Sequence, residues 1–178
     1  AQQQKIIKNA SRSIETSNFE ADLQVIRGLV ESEYGGLVDD YSEYNPKNAG
    51  RDEFRSAYLN VRIPTDTVEE FLQQLDEQVP VVSRNESSEA ITTQYYDMAA
   101  RLEQAKGLLS DLTKIGADAV TVEERIQVQQ QIREAQAEIE SMEGQIRNWD
   151  SRINLTQVYL NVQEVADKSQ VQPIDGAN

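Results

Sequence analysis

The chain has 178 residues, 38% of them hydrophobic, and a formal net charge of −14 with no cysteine and no histidine. The missing residue types exclude thiol catalysis, the Ser-His-Asp triad, Cys-based zinc sites and His-ligated metals. The acid excess argues against nucleic acid, whose phosphates need clustered Lys and Arg, and against adsorption to anionic lipid.

This length fits one domain, or one compact domain carrying a long extension. With 8 glycines and 4 prolines, extensive disorder is not expected. No apolar run approaches the roughly 20 residues of a membrane span.

Lys5 to Ile14 reads as a strand. Ser17-Asn18-Phe19-Glu20 matches a capping box, with Ser17 as cap and Glu20 reaching back. The helix that follows repeats Phe19, Leu23, Ile26 and Val30 on one face, and Gly35-Gly36 is expected to end it. Leu37 to Tyr44 is a second strand, and Asn45 to Asp52 a polar turn. Arg55 to Ile63 alternates most cleanly, with Ala57, Leu59, Val61 and Ile63 against Ser56, Tyr58, Asn60 and Arg62. After Pro64, Asp66 reads as an N-cap with Glu69 at the third helical position. The second helix then presents Val68, Phe71, Leu72 and Leu75. Val79-Pro80 closes it, and Val81 to Glu86 is a fourth strand.

This order is the split βαβ pattern of a ferredoxin-like antiparallel sandwich. The predicted fold class is therefore α+β, with residues 1–90 as the sandwich. Residues 91–153 form a long antiparallel helical hairpin, 154–164 a final strand returning to the sheet, and 165–178 a tail or linker. The tetrapeptide Tyr58-Leu59-Asn60-Val61 recurs as Tyr159-Leu160-Asn161-Val162, which suggests two strands in similar half-buried settings.

The hairpin is read from spacing alone. Ile91, Tyr95, Met98, Leu102, Ala105, Leu109 and Leu112 alternate by four and three. The rhythm breaks at Gly116 and resumes at Val128, Ile132, Ala135, Ile139, Met142, Ile146, Trp149 and Ile153. Arms of this length extend about 40 Å at the helical rise per residue. Thr121 and Glu124 form the capping box of the returning arm. The tip is expected near Gly116 and Asp118. The apolar Val120, Val122 and Ile126 either wrap that loop or offer a patch to a partner. Trp149 is expected to close the base of the seam rather than to stack on a ligand.

Carboxylates gather at Glu31, Glu33, Asp39, Asp40 and Glu43, but without the spacing and glycine of a calcium loop. Glu123 and Glu124 are favourable charges at a helix start. There is no phosphate loop and no nucleophile elbow. No catalytic, metal or cofactor residue is assigned, and the chain is read as non-enzymatic.

The segments KIIKNASRSIET, YLNVRIPTDTVEEFLQQL, VVSRNESSEAITTQYYDMAARL and IESMEGQIRNWDSRINLTQVYLNV resemble a bacterial family catalogued as domain of unknown function 4349. The resemblance runs from Lys5 to about Glu164. It implies an extracytoplasmic domain of a putative lipoprotein, held at the membrane by a lipidated cysteine before it and often by an apolar helix after it. This chain shows neither anchor, so that cysteine would lie upstream of Ala1. The family carries no established activity. The partner is then an unidentified envelope protein or a second copy, and the alternative is a sensor of a small ligand or cation.

Overall fold

The computed structural model describes residues 2–47 and 53–167. Part of the expected turn at Asn45 to Asp52, and the tail from Lys168 onward, lie outside the described residues. The elements are β1 (Ile6–Thr16), α1 (Phe19–Arg27), a π-helical segment (Gly28–Glu33), β2 (Leu37–Tyr44), β3 (Ser56–Pro64), α2 (Val68–Gln78), β4 (Val81–Ala90), α3 (Thr92–Ala117), α4 (Val122–Asn154) and β5 (Leu155–Glu164). The architecture is α+β, with a mixed five-stranded sheet and four α-helices among the described residues. The chain divides into two compact units, Lys8–Ser88 with Asn154–Asn178, and Ala1–Ile7 with Glu89–Ile153.

In the first unit the strand order is β2-β3-β5-β1-β4. The expected all-antiparallel sheet is corrected here: β5 pairs antiparallel with β3 but parallel with β1. The cause is the place of β5. It enters between β1 and β3, which run in opposite directions, so it can be antiparallel to only one of them.

Period-two alternation builds one core face. Ala10, Ile14, Ala57, Leu59, Val61, Ile63, Val158, Leu160 and Val162 are buried there. Against them pack Phe19, Leu23, Ile26, Leu29 and Val30 from α1 and its extension, and Val68, Phe71, Leu72 and Leu75 from α2. The π-helical segment explains how the adjacent Leu29 and Val30 are both buried. Its wider turn, with the Tyr34 N–H donating to the Leu29 carbonyl at 3.1 Å, turns consecutive side chains inward more nearly together than a regular helix does.

Two predicted caps are corrected. Ser17 does not cap α1. The strand before it runs on to Thr16, whose hydroxyl accepts the Asn18 N–H at 2.8 Å and donates to the Asp22 carboxylate. Nor does Asp66 cap α2, which starts after Thr67 without a side-chain cap. Thr67 instead closes the turn through its N–H and hydroxyl, both donated to the Pro64 carbonyl at 3.0 and 3.3 Å. The glycine pair has separate duties. Gly35 takes a φ of +62°, which favours glycine, while a Cβ on Gly36 would sit 2.5 Å from the Arg62 carbonyl oxygen.

The second unit is built on α3 and α4. Leu102, Leu112, Ala135, Ile139 and Met142 are buried. Met98, Ala105, Leu109 and Ile146 are half-buried against the cluster of Leu102, Ile139 and Met142. All of these are seam positions of the four-three rhythm. Residues 2–7 belong with the start of α3. The Ile91 N–H donates to the Lys5 carbonyl at 2.8 Å, the Lys5 N–H to Thr92 Oγ1 at 3.0 Å, and the Tyr96 hydroxyl to the Gln3 carbonyl at 3.1 Å.

Candidate functional site

The turn from α3 to α4 holds the predicted interaction residues. Its position differs from the sequence reading: α3 continues through Gly116 to Ala117, and the chain turns over Asp118 to Thr121. Gly116 is therefore a helix position at a close approach. A Cβ there would stand 3.1 Å from Val128 Cγ1, within the same pair of helices. Its missing side chain lets the helices come together where a break was expected.

Backbone hydrogen bonds tighten the turn, with the Asp118 N–H to the Ile115 carbonyl at 3.1 Å and the Ala119 N–H to the Gly116 carbonyl at 3.3 Å. The capping box at the start of α4 forms. The Glu124 N–H donates to Thr121 Oγ1 at 3.1 Å, and Glu124 Oε2 accepts from the N–H groups of Val120 at 3.1 Å and Thr121 at 3.5 Å. Glu124 is thus a structural carboxylate.

With the turn held by its backbone, its apolar side chains are left outward. Val120 is 84% exposed, Val122 70%, Ile126 61% and Ile115 56%. The sequence left two readings open, wrapping or exposure, and these four side chains are exposed. Ile115 is the member that periodicity missed. It lies one turn before Ala119 and off the seam, and its four-residue distance from that turn was the available signal. A shallow hollow beside them is lined by Ile115, Asp118, Ala119, Glu124, Gln127 and Val128.

Two of the five clustered carboxylates have local partners. Asp39 sits 3.2 Å from Arg62, and Glu43 accepts from the Tyr41 hydroxyl at 2.7 Å. No group of three acidic side chains able to hold a metal occurs among the described residues. Trp149 lies beside Tyr95, with ring centroids 6.1 Å apart. The Tyr95 hydroxyl donates to Asp150 at 2.6 Å, and that bond, with burial second, pushes its pKa up to about 12. Lys5 Nζ stands 4.7 Å from the Tyr95 ring centroid.

Two charged clusters escaped the sequence reading. Arg12 is buried on the core face, donating to Asp76 at 3.0 Å and Glu86 at 2.6 Å, while Arg84 also reaches Asp76 at 3.3 Å. Its signal was the alternation Ala10, Arg12, Ile14, which puts it on the inward face. Arg55 clasps the buried Glu164, from Nη2 at 2.7 Å and from its backbone N–H at 3.0 Å. Those hydrogen bonds hold the Glu164 carboxyl below its usual range and raise the Arg55 guanidinium. Arg12 joins β1 to α2 and β4, and Arg55 joins the start of β3 to the end of β5, so both clusters act as ties within the fold.

The described residues thus define an α+β protein with a sheet unit, a helical unit and an outward apolar turn. The chain belongs to the family described as Domain of unknown function (DUF4349), whose model matches residues 4–176. No curated protein and no solved structure matches it.

Proposed function

We propose that the chain is a non-catalytic interaction module. In this reading α3 and α4 are the arms of an antiparallel, coiled-coil-like helical hairpin inserted before the last strand of a split βαβ sandwich. The fifth strand completes the sandwich from inside the sheet. The module is the extracytoplasmic part of a membrane-anchored bacterial envelope protein, as the resemblance to putative lipoproteins implies. Its hairpin tip docks onto an apolar surface of another envelope protein.

One observation carries the docking reading, the exposure of Ile115, Val120, Val122 and Ile126 around a turn whose backbone is already satisfied. Aliphatic side chains that do not hold their own loop, gathered at one place, mark an interaction surface. The absence of Cys and His from the composition supports a non-catalytic role. The test places a photo-crosslinking amino acid at Val120 in producing cells, with the exposed Gln104 on α3 as the control. The expected result is an adduct to a distinct envelope protein from Val120 alone. Equal adducts from both positions, or none, would sink the docking idea. An adduct only to a second copy would replace it with self-association.

A further inference from the structure

The repeated tetrapeptide is a feature the tip does not use. Its two copies, Tyr58 to Val61 on β3 and Tyr159 to Val162 on β5, lie side by side in antiparallel register. Tyr58 stands opposite Asn161, Leu59 opposite Leu160, and Asn60 opposite Tyr159. The two leucines are fully buried in the core. Alternation sends the two tyrosines and two asparagines to the other face of the sheet, related by a local two-fold axis. Diagonal neighbours across such a pair are about 7–8 Å apart, within reach of aromatic side chains.

This face differs in chemistry from the rest of a chain with net charge −14. The positions beside the quartet are Ser11 and Ser13 on β1, and Ser42 and Asp40 on β2. Rings, amides and hydroxyls predominate; of the ionisable side chains beside the quartet, Asp40 stands opposite Asn60, and Arg62, two residues along β3, is paired with Asp39 at 3.2 Å. Tyr58 is 41% exposed, a ring face open to a partner. Asn60 Oδ1 is shielded from solvent and has no hydrogen-bond partner among the described residues. A buried acceptor in that state is costly and uncommon, and turning the half-buried carboxamide outward would bring it to a donor on a bound molecule.

We propose that the Tyr58–Asn60–Tyr159–Asn161 quartet binds a neutral oligosaccharide. Pyranose rings offer flat C–H faces to the negative face of a phenol ring. Their hydroxyls both donate and accept, which matches carboxamides and serine hydroxyls. An anionic ligand would meet the carboxylate of Asp40, and the neighbouring Arg62 is already paired with Asp39. A second copy of the chain or an apolar protein surface would need a dry aliphatic centre, which the quartet lacks. The proposal is independent of the apolar turn between α3 and α4.

The test titrates the full chain with cellohexaose and with chitohexaose as two neutral probes, reading backbone amide shifts by NMR, and uses a sulfated hexasaccharide as the charged control. The expected result is a saturable response to a neutral probe, confined to β3 and β5 and their neighbours, with none to the control. Tyr58→Ala and Tyr159→Ala should each weaken binding roughly tenfold, while Tyr58→Phe keeps most of it. Thermal melts confirm that each variant is folded, and Val122→Ser should leave sugar binding unchanged, which separates this site from the docking turn. Silence with both neutral probes overturns the proposal. So do shifts lying elsewhere, undiminished binding by the Tyr58→Ala/Tyr159→Ala double variant, or a protein ligand held at this face in place of sugar.

Discussion

The sheet unit and the helical unit bury apolar surface in different ways. Ile26, Leu59, Val61, Phe71 and Leu160 are completely buried in the sheet unit, each enclosed by strands on one side and helices on the other. In the helical unit Ile91, at the start of the seam, keeps 4% of its surface, and Leu112, Ala135, Ile139 and Met142 along the arms keep 6–7%, because a helix pair covers only a stripe of each partner. The same physics explains a hydrophobic content of only 38%. A layered core holds its shape with depth to spare, whereas a two-helix seam holds with little reserve, so a given deletion should be felt differently in each.

Substitutions can break or sharpen that contrast. Phe71→Ala should have the largest effect, a loss of about 3–5 kcal/mol in urea denaturation, because its site is enclosed and cannot collapse. Ile139→Ala should cost about 2–3 kcal/mol, the low end of the range, because the partly open seam relaxes around the gap. Hydrogen exchange should show that loss in α3 and α4 while β3 and β5 stay protected; equal loss in both units would erase the distinction. Glu164→Gln should cost about 2 kcal/mol through its weakened hydrogen bonds with Arg55. The folded Glu164 pKa lies below the ordinary 4.5 of a glutamate, so the stabilisation is present above about pH 4.5 and is lost as pH falls below it. The variant should therefore lack that part of the acid transition.

Tyr95→Phe should cost about 1 kcal/mol, the ordinary worth of one hydrogen bond. Because folding raises this phenol from 10.0 to about 12, its contribution is complete below pH 10 and disappears as pH climbs toward 12. A phenolate absorbance titration of wild type against variant reads that window. The smallest effect belongs to Val122→Ser. An exposed substitution should move stability by less than about 0.5 kcal/mol, so any loss of crosslinking would reflect the surface and not the fold.

Much of this was legible from local rhythm. The face of α2, the alternation of β3 and the seam of α3 and α4 follow from spacing, because burial there repeats with the period of the element itself. The place of β5 was not legible. Val158 and Val162 signal a strand facing a core, but nothing local says that the strand lies between β1 and β3. The Arg55–Glu164 clasp, joining residues 109 apart, was hidden for the same reason. At α1 the sequence offered two hydroxyls in succession, and a strand that runs two residues past Ile14 gives the junction's hydrogen bonds to Thr16 in place of Ser17. Of the candidate site, the residues were legible but their exposure was not, since Val120 and Val122 would look the same tucked over a loop.

The central position of β5 also bears on how the molecule is made. Ala10 of β1 pairs with Val158 of β5, so the middle of the sheet waits until about 150 further residues have been synthesised. Until then β1 and β3 emerge with the edges that will receive β5 still unpaired, a template for wrong partners. Such long-range closure is slow. Refolding should therefore be rate-limited by the arrival of β5, and a ribosome stalled before Leu155 should hold a nascent chain with paired helices but no closed sheet.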